Sequence, residues 1–367
     1  MNVLILSNSV SGLFSFRKEV VGALVAEGYR VWIACPREEG EKSDYFRNLG
    51  CEMVDMPVDR RGTNPIRDFG LFRQYRRLIR QVKPAAVLTY TIKPNVYGGV
   101  AACCAHVPQL ANITGLGTAV ENPGLLSKIT VAMYRFGLKR AKTVFYQNVS
   151  IQKFCQMNKI GRHGVLLPGS GVNLDWHALQ PYPTQESPMR FLFISRVMRD
   201  KGAEELLAAA KIIKEKYPQT EFHILGPCED GYEARLREAC DTGTVVWHGS
   251  VPDVRPYIRE AWCTVHPSYH EGMANVLLES AAAGRPVITT DVPGCRETLD
   301  EGVSGLLCPA KDAAALTDAI ERFIQLPYDE KVRMGQSGRD FVANHFDRQI
   351  VVDAYLNELT LVHPNNP

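Results

Sequence analysis

Short apolar runs of four to six residues alternate with longer amphipathic stretches along almost the whole chain. Runs that are apolar at nearly every position predict strands buried on both faces, as in a parallel sheet covered by helices. In the first half the predicted strands are residues 2–7, 30–35, 51–56, 85–90, 109–114 and 143–148. In the second half they are residues 190–195, 221–226, 244–249, 262–267, 286–290 and 304–309. Two such series predict an α/β protein of two doubly wound, Rossmann-like domains.

The segment between the two series, PGSGVNLDWHALQPYPTQESP, is rich in Pro, Gly and polar residues and predicts a hinge. We therefore place an N-terminal domain at 1–168, the hinge at 169–188 and a C-terminal domain at 189–345. The last segment, 346–367, predicts a helix that crosses back to the first domain.

Composition indicates where the chain works. The ten cysteines show neither disulfide nor zinc spacing, which favours a reduced, cytoplasmic protein. The opening MNVLILSNS is better explained as a buried strand than as a signal peptide. No apolar run approaches the ~18 residues of a membrane-spanning helix. We expect a cytoplasmic protein, peripheral at the inner face of the cytoplasmic membrane.

The net charge of +2 hides an asymmetry. Residues 1–165 carry 23 Lys and Arg and 11 Asp and Glu. The whole chain has 42 Lys and Arg and 40 Asp and Glu, so residues 166–367 carry 19 basic and 29 acidic residues. A first half of +12 and a second half of −10 predict two domains with different partners.

Two loops of the second half combine charges suited to one ligand. Arg196 follows a predicted strand and Lys201 lies where a helix opens, a combination that favours a diphosphate. Glu271 and Glu279 follow another strand, with roughly 10 Å between them at ~1.5 Å rise per residue. Carboxylates accept hydrogen bonds from sugar hydroxyls, so the pattern fits a nucleotide-sugar. The alternatives are solvated surface charges at Arg196 and Lys201 and an exposed Glu279 at a groove edge.

Other chemistry fits the sequence less well. The first strand-to-helix turn has one glycine, Gly12, where a dinucleotide site needs three, and no Walker A sequence is present. His266 and His270 are four apart, but Pro267 between them breaks the helical geometry of a metal pair. No G-x-S-x-G nucleophile turn is present.

The motifs EGMANVLLESAAAGRPVI and SRVMRDKG resemble those of the GT-B retaining glycosyltransferases of family four. SGLFSFRKE, TYTIKPNVYGG and NITGLGTAVEN are similar to the subgroup that builds bacterial capsule and lipid-linked oligosaccharides. The resemblance covers essentially the whole chain. It implies a GT-B fold, with two parallel sheets facing a cleft, and transfer of a sugar from a UDP-sugar co-substrate, with no cofactor and no metal.

The resemblance also implies roles for individual residues. Arg196 and Lys201 would neutralise the donor diphosphate, Glu271 would hold the transferred sugar, and Glu279 would hold the ribose. The remaining donor-binding residues would contribute backbone or turn contacts: Gly12, Gly226, Gly249, Ser250, Val251, Gly272, Met273, Ala274 and Asn275. Many relatives carry His where this chain has Thr114, so no catalytic His is assigned there.

The basic first half suggests the acceptor side. Residues 67–83 predict an amphipathic helix with one apolar and one cationic stripe, and 125–142 form a second basic and apolar run. The cations of the first run and its downstream neighbour are Arg73, Arg76, Arg77, Arg80 and Lys93. They could meet inner-leaflet anionic lipid or the phosphates of a polyprenyl-diphosphate-linked saccharide acceptor, or simply lie in solvent above a core-facing stripe. No nucleic-acid motif is present, and nucleic acid is the weaker partner.

The sequence thus favours a glycosyltransferase acting in capsule, O-antigen or glycan biosynthesis on a lipid-linked acceptor. Two other functions stay open: a GT-B epimerase or phosphorylase acting on a nucleotide-sugar, and a non-catalytic nucleotide-sugar sensor.

Overall fold

The computed structural model describes residues 1–59, 65–115, 124–229 and 231–362. The chain divides into two compact units, one of residues 1–170 with 348–367 and one of residues 171–347. Residues 116–122 of the NITGLGTAVEN motif lie outside the described residues. In the described ranges no helix is long and apolar enough to cross a bilayer.

The first unit contains a parallel sheet in the order β3-β2-β1-β4-β5-β6-β7. Its strands are β1 Asn2–Leu6, β2 Arg30–Cys35, β3 Glu52–Asp55, β4 Ala86–Tyr90, β5 Gln109–Ile113, β6 Thr143–Tyr146 and β7 Gly164–Leu166. Every strand predicted in this half is present. The additional strand β7 was missed because it has only three residues, two of them exposed, which is too short for an apolar pattern.

Helices cover both faces of this sheet. They are α1 Val10–Ala26, α2 Glu41–Asn48, α3 Pro65–Val82, α4 Gly99–Cys104, α5 Leu125–Gly137 and α6 Val149–Met157, with a π-helical turn at Pro94–Gly98 leading into α4. The apolar stripe of α3 is buried against the sheet: Leu71, Tyr75, Leu78, Ile79 and Val82 are each at most 6 % exposed. The stripe predicted from the sequence is therefore core, and it is unavailable to lipid.

The second unit contains a parallel sheet in the order β10-β9-β8-β11-β12-β13. Its strands are β8 Met189–Ile194, β9 Thr220–Leu225, β10 Val246–Trp247, β11 Cys263–His266, β12 Val287–Thr290 and β13 Gly305–Cys308. Its helices are α7 Ala203–Lys216, α8 Glu233–Asp241, α9 Arg255–Glu260, α10 Asn275–Ala282, α11 Ala313–Gln325 and α12 Tyr328–His345. The prediction of two doubly wound α/β domains is confirmed.

Residues 171–188, which the sequence assigned to a hinge, group with the second unit. Two arginines bind the carbonyl groups of this segment. The fully buried Arg285 donates to Gln180 O and Pro181 O at 3.3 and 2.6 Å. Arg339 donates to Leu174 O and His177 O at 3.4 and 3.1 Å. Side chains distant in sequence thus fix a segment whose composition alone predicts flexibility.

The final helix, α13 Arg348–Val362, packs on the first unit beside α1. Tyr355 accepts a hydrogen bond from Asn112 Nδ2 at 2.8 Å and its ring lies 4.3 Å from that of Phe145. Arg348 pairs with Glu19 at 2.8 Å. This helix completes the core of the first unit.

Candidate active site

The carboxyl edge of the second sheet has a switch point between β8 and β11. The chain leaves β8 toward β9 on one side, while β11 lies on the other side, so the loops after β8 and β11 diverge above neighbouring strands. Open parallel sheets bind ligands in the crevice that such diverging loops leave. Arg196 and Lys201 follow β8, and Glu271 follows β11.

The two loops contact each other directly. The Tyr269 N–H donates to Asp200 O at 2.9 Å, and the Tyr269 hydroxyl donates to Glu205 at 2.7 Å. Gly202 has φ of +71°, and a Cβ there would lie 2.1 Å from Pro267 O. Only glycine fits this approach, because both the left-handed backbone and the contact exclude a side chain. The glycine therefore sets the distance between the β8 and β11 loops.

This approach brings Lys201 and Glu271 together. Lys201 Nζ lies 2.5 Å from Glu271 Oε1, and the two side chains are 17 % and 16 % exposed. His266, at the end of β11 and 3 % exposed, places its Nε2 2.9 Å from the same oxygen. Thr289 of β12 donates to His266 O at 2.7 Å. Glu271 is thus a largely buried carboxylate held by a cation from the loop after β8 and an imidazole at the end of β11.

Burial raises the pKa of the Glu271 carboxyl, but the hydrogen bond from His266 and the charges of His266 and Lys201 outweigh it and hold the pKa at about 2. Because a carboxyl with a lowered pKa stabilises the fold only while ionised, its contribution is present above its unfolded pKa of ~4.3 and is lost as pH falls toward 2. The Glu271 carboxyl is therefore anionic at neutral pH.

The lowered pKa of Glu271 predicts that the free energy of unfolding depends on pH. Between pH 6 and pH 3 we expect the free energy of unfolding to fall by about 2 kcal/mol more in the wild type than in Glu271→Gln. Urea unfolding followed by tryptophan fluorescence measures it, since Trp176, Trp247 and Trp262 all lie in the second unit. The exposed-carboxylate variant Glu215→Gln should follow the wild-type curve. Parallel curves for Glu271→Gln and wild type would contradict the assignment.

The other predicted cation faces a different neighbour. Arg196 is half exposed, and its Nη1 donates to Glu229 in the loop after β9. The sequence placed Arg196 and Lys201 as one pair. In this structure Lys201 is bound to Glu271, while Arg196 lies toward the β9 loop.

The helix that follows Glu271, for which the motif EGMANVLLESAAAGRPVI predicts a start near Gly272, begins three residues later. Helix α10 starts at Asn275 because the preceding residues are held by the loop after β12. The Ala274 N–H donates to Gly294 O at 2.8 Å, and a Cβ at Gly294 would lie 2.4 Å from Glu271 O. The Asn275 N–H donates to Met273 O at 3.0 Å. That these amides and those of Gly272 and Met273 meet a ligand stays a prediction.

Glu279 lies in the second turn of α10 and is half-buried. The turn after β10 contacts the turn after β9, since the Gly226 N–H donates to Gly249 O at 2.7 Å. Gly226 has φ of +131° and a Cβ there would lie 2.0 Å from Ser195 O. Ser250 is exposed and Val251 half-buried beside them. The loops after β8, β9 and β10 thus form one continuous edge.

Gly12 lies in the first turn of α1, in the first unit. Its N–H donates to Ser9 Oγ at 3.1 Å. The neighbouring backbone N–H groups at this end of the helix, those of Val10 and Ser11, donate to the Glu38 carboxylate at 3.1 Å each. An internal carboxylate therefore fills the place that a dinucleotide phosphate takes in a Rossmann nucleotide site. A role for Gly12 in donor binding stays a prediction.

The predicted acceptor cations lie on the first unit. Arg73, Arg77 and Arg80 are exposed and Arg76 is half-buried on α3. Lys93 differs from them, because its Nζ lies 2.6 Å from Asp68 Oδ1 and both side chains are largely buried. Lys93 is therefore neutralised by a carboxylate, while Arg73, Arg77 and Arg80 of α3 are exposed to solvent.

The two halves of the chain match two protein families. Residues 2–148 match the family described as "Glycosyl transferase 4-like", and residues 188–325 match "Glycosyl transferases group 1".

Solved structures show the same architecture. A glycosyltransferase from Rickettsia africae superposes with a TM-score of 0.81 at 18 % identity, covering 100 % of this chain and 99 % of its own. HepE of Anabaena, solved with UDP and glucose, gives 0.79 at 15 % identity over 98 % of this chain and 100 % of its own. The family matches over both halves, together with this shared architecture, make the chain a GT-B glycosyltransferase.

The chain is also similar in sequence to curated glycosyltransferases of bacterial glycan and capsule synthesis. The N,N'-diacetylbacillosaminyl-diphospho-undecaprenol alpha-1,3-N-acetylgalactosaminyltransferase of Campylobacter jejuni is 23 % identical over 97 % of both chains. The capsular polysaccharide biosynthesis glycosyltransferase CapM of Staphylococcus aureus is 25 % identical over 78 % of this chain and 80 % of its own. The chain thus joins a glycosyl transferase 4-like half to a glycosyl transferases group 1 half, and the resemblance to GT-B glycosyltransferases drawn from the sequence is confirmed.

Proposed function

We propose that this protein is a retaining glycosyltransferase that moves a sugar, an N-acetylhexosamine or a hexose, from a UDP-sugar to a polyprenyl-diphosphate-linked saccharide in capsule, O-antigen or glycan biosynthesis. The observation that carries the proposal is the Lys201–Glu271 pair at the switch point. A donor with a diphosphate beside a sugar suits a cation and a carboxylate placed side by side, the cation for the phosphates and the carboxylate for sugar hydroxyls. The names of the relatives, a transferase acting on a diphospho-undecaprenol saccharide and a capsule enzyme, support the same substrate class.

In this proposal Lys201 and Arg196 bind the donor diphosphate and stabilise the charge that develops on the leaving UDP. Glu271 accepts hydrogen bonds from hydroxyls of the transferred sugar, and Glu279 from those of the ribose. The Gly226 and Gly249–Val251 turns contact the base. Because side-chain cations and the α10 N-terminus supply positive charge here, we propose a metal-independent reaction.

The acceptor would bind to the first unit. Arg73, Arg77 and Arg80 are exposed on one helix of the half that carries +12. Such a row of cations suits the anionic inner leaflet that carries the acceptor lipid, at about 1 kcal/mol per cation near the surface. The protein would then be cytoplasmic and peripheral to the membrane.

Transfer of radiolabelled UDP-sugar into extractable lipid tests the proposal. Product that forms only with a polyprenyl-diphosphate-linked saccharide supports it. An epimerase would convert the donor without acceptor, a phosphorylase would need inorganic phosphate, and a sensor would bind UDP without releasing sugar. Activity that survives chelation by EDTA supports metal independence, and activity restored only by a divalent cation contradicts it.

Reversing the α3 charges separates acceptor from donor binding. In Arg73→Glu/Arg77→Glu/Arg80→Glu we expect KM for the lipid acceptor to rise at least tenfold, since three cations near an anionic ligand become anions. The Kd for UDP should stay unchanged. As a matched control, Lys211→Glu/Arg235→Glu/Arg237→Glu reverses three exposed cations on helices of the second unit and should leave the acceptor KM unchanged. Equal acceptor KM in both triple variants would remove α3 from acceptor binding.

A further inference from the structure

An apolar groove lies on the first unit between α3, the π-helical turn and α5. Its volume is about 640 Å³, within the range of pockets that bind small ligands. Six of its lining residues are Phe69, Phe72, Tyr97, Ile129, Met133 and Phe136. Phe69, Ile129 and Phe136 are 60, 47 and 69 % exposed. Large apolar side chains clustered in a concave surface mark a binding site more often than isolated exposed ones do.

Among the described residues that line this groove, the one charged side chain is already neutralised. Asp68 pairs with Lys93 at 2.6 Å and accepts from the Tyr97 hydroxyl at 2.9 Å. The carboxylate is 7 % exposed. Its presence therefore does not prevent an apolar chain from lying in the groove, because both of its oxygens are satisfied.

A second, cationic groove adjoins the first across α5. It has a volume of about 470 Å³ and shares Ala132 and Phe136 with the apolar groove. Its charged lining residues are Arg135, Lys139, Lys159 and Arg162. No carboxylate lines it among the described residues.

The surrounding sequence carries the same sign of charge throughout. From residue 124 to residue 170 the chain has eight Lys and Arg and no Asp or Glu. In a stretch that long, a solvated surface usually mixes both signs. An apolar groove beside an uninterrupted cationic region is complementary to one kind of molecule, an anionic lipid with its tail in one groove and its phosphate in the other.

We infer that this double groove binds the isoprenoid tail of the acceptor next to its diphosphate, with the first isoprene units between Phe69, Ile129 and Phe136 and the phosphate facing Arg135, Lys139 and Arg162. The inference rests on the proposed function for the identity of the lipid. A concave groove accepts a single chain, whereas a surface that only inserts into a bilayer needs no cavity. The α3 arginines would then meet the saccharide-bearing side of the lipid or the membrane.

Equilibrium dialysis with radiolabelled geranylgeranyl diphosphate, below its micelle concentration, tests the groove without any transfer step. We expect Ile129→Ser and Phe136→Ser each to weaken binding at least tenfold, since burial of a large apolar side chain contributes a factor of this order. Both residues are exposed, so the fold should tolerate the changes. Ile212→Ser is the matched control, because Ile212 is 49 % exposed on α7 of the second unit against 47 % for Ile129.

Further ligands test the two halves of the site. Lys139→Glu should weaken the binding of geranylgeranyl diphosphate and leave the binding of geranylgeraniol unchanged. In the wild type, inorganic pyrophosphate alone should bind at least tenfold more weakly than the prenyl diphosphate. Unchanged prenyl binding in both groove variants overturns the inference. The inference is also overturned if the protein binds phosphatidylglycerol vesicles and prenyl diphosphate does not compete with that binding. It is likewise overturned if the wild type is a dimer that the Phe136→Ser change dissociates. Prenyl binding that depends on the groove in a protein without transferase activity would instead overturn the proposed function alone.

Discussion

Replacing Lys201 by methionine should lower kcat/KM for sugar transfer by a factor of about 10² to 10³, the range observed when one preorganised charge-stabilising group is removed from an active site. The methionine keeps the apolar stem, so packing against the β11 loop is retained while the ammonium is lost. Glu271→Gln should cause a loss of similar size, because it removes the carboxylate that pairs with Lys201 at 2.5 Å and with His266 at 2.9 Å. Initial rates at varied UDP-sugar give both values.

The double variant distinguishes an active pair from two independent contacts. Because each single change leaves a largely buried group without its partner, the effects should be far from additive, and the double variant should lose little more than either single one. Lys216→Met is the matched control, since Lys216 also pairs with a glutamate of the second unit, Glu321, but is 57 % exposed. Wild-type kinetics in Lys201→Met would remove the switch-point pair from the mechanism.

The second large effect is expected from Gly202→Ala. A Cβ at this position would lie 2.1 Å from the carbonyl oxygen of Pro267, which is backbone and cannot rotate away. The β8 loop must therefore shift from the β11 loop, which separates Lys201 from Glu271. Since displacements of about 1 Å in a catalytic arrangement cost on the order of 10²-fold, we expect transfer to fall by at least that factor. Steady-state kinetics and thermal unfolding should be measured together.

Gly243→Ala separates the steric effect from the backbone effect. Gly243 has φ of +69°, close to the +71° of Gly202, but nothing lies within 4 Å of its Cβ position. Both variants pay the same penalty of roughly 1 kcal/mol for a left-handed alanine. Only Gly202→Ala should lose activity. Equal activity in the two variants would show that the approach of the two loops does not control the site.

Much of the candidate site could be predicted from the sequence because its members follow strands. Arg196, Lys201 and Glu271 each come just after an apolar run, and parallel strands place such positions at one edge of a sheet. The sequence did not predict the contact between His266 and Glu271. His266 lies at a strand end five positions before Glu271, a spacing that could have suggested a turn returning to it. Gly294 gave only a Pro-Gly turn signal, and its contact with Glu271 O depends on the neighbouring strand β12.

The basic helix α3 shows the limit of periodicity. Its apolar and cationic stripes were equally consistent with membrane attachment and with packing on a sheet. Tyr75 and Ile79 are 0 and 1 % exposed, which shows that the apolar stripe of α3 packs on the sheet. The exposed apolar surface is instead formed by Phe69, Ile129 and Phe136, from helices about 60 residues apart, and no single stretch of sequence contains that pattern.

The sequence by itself determined the two α/β domains, their opposite charges and the family, because hydrophobic alternation and short motifs are local properties of the chain. Only the tertiary structure decided which charges meet. The order β9-β8-β11 brings positions 201 and 271 to within 2.5 Å across 70 residues, while Arg196, five residues from Lys201, lies against Glu229 instead. Strand order and the close approach at Gly202 result from packing among segments distant in sequence, and local periodicity does not predict such packing.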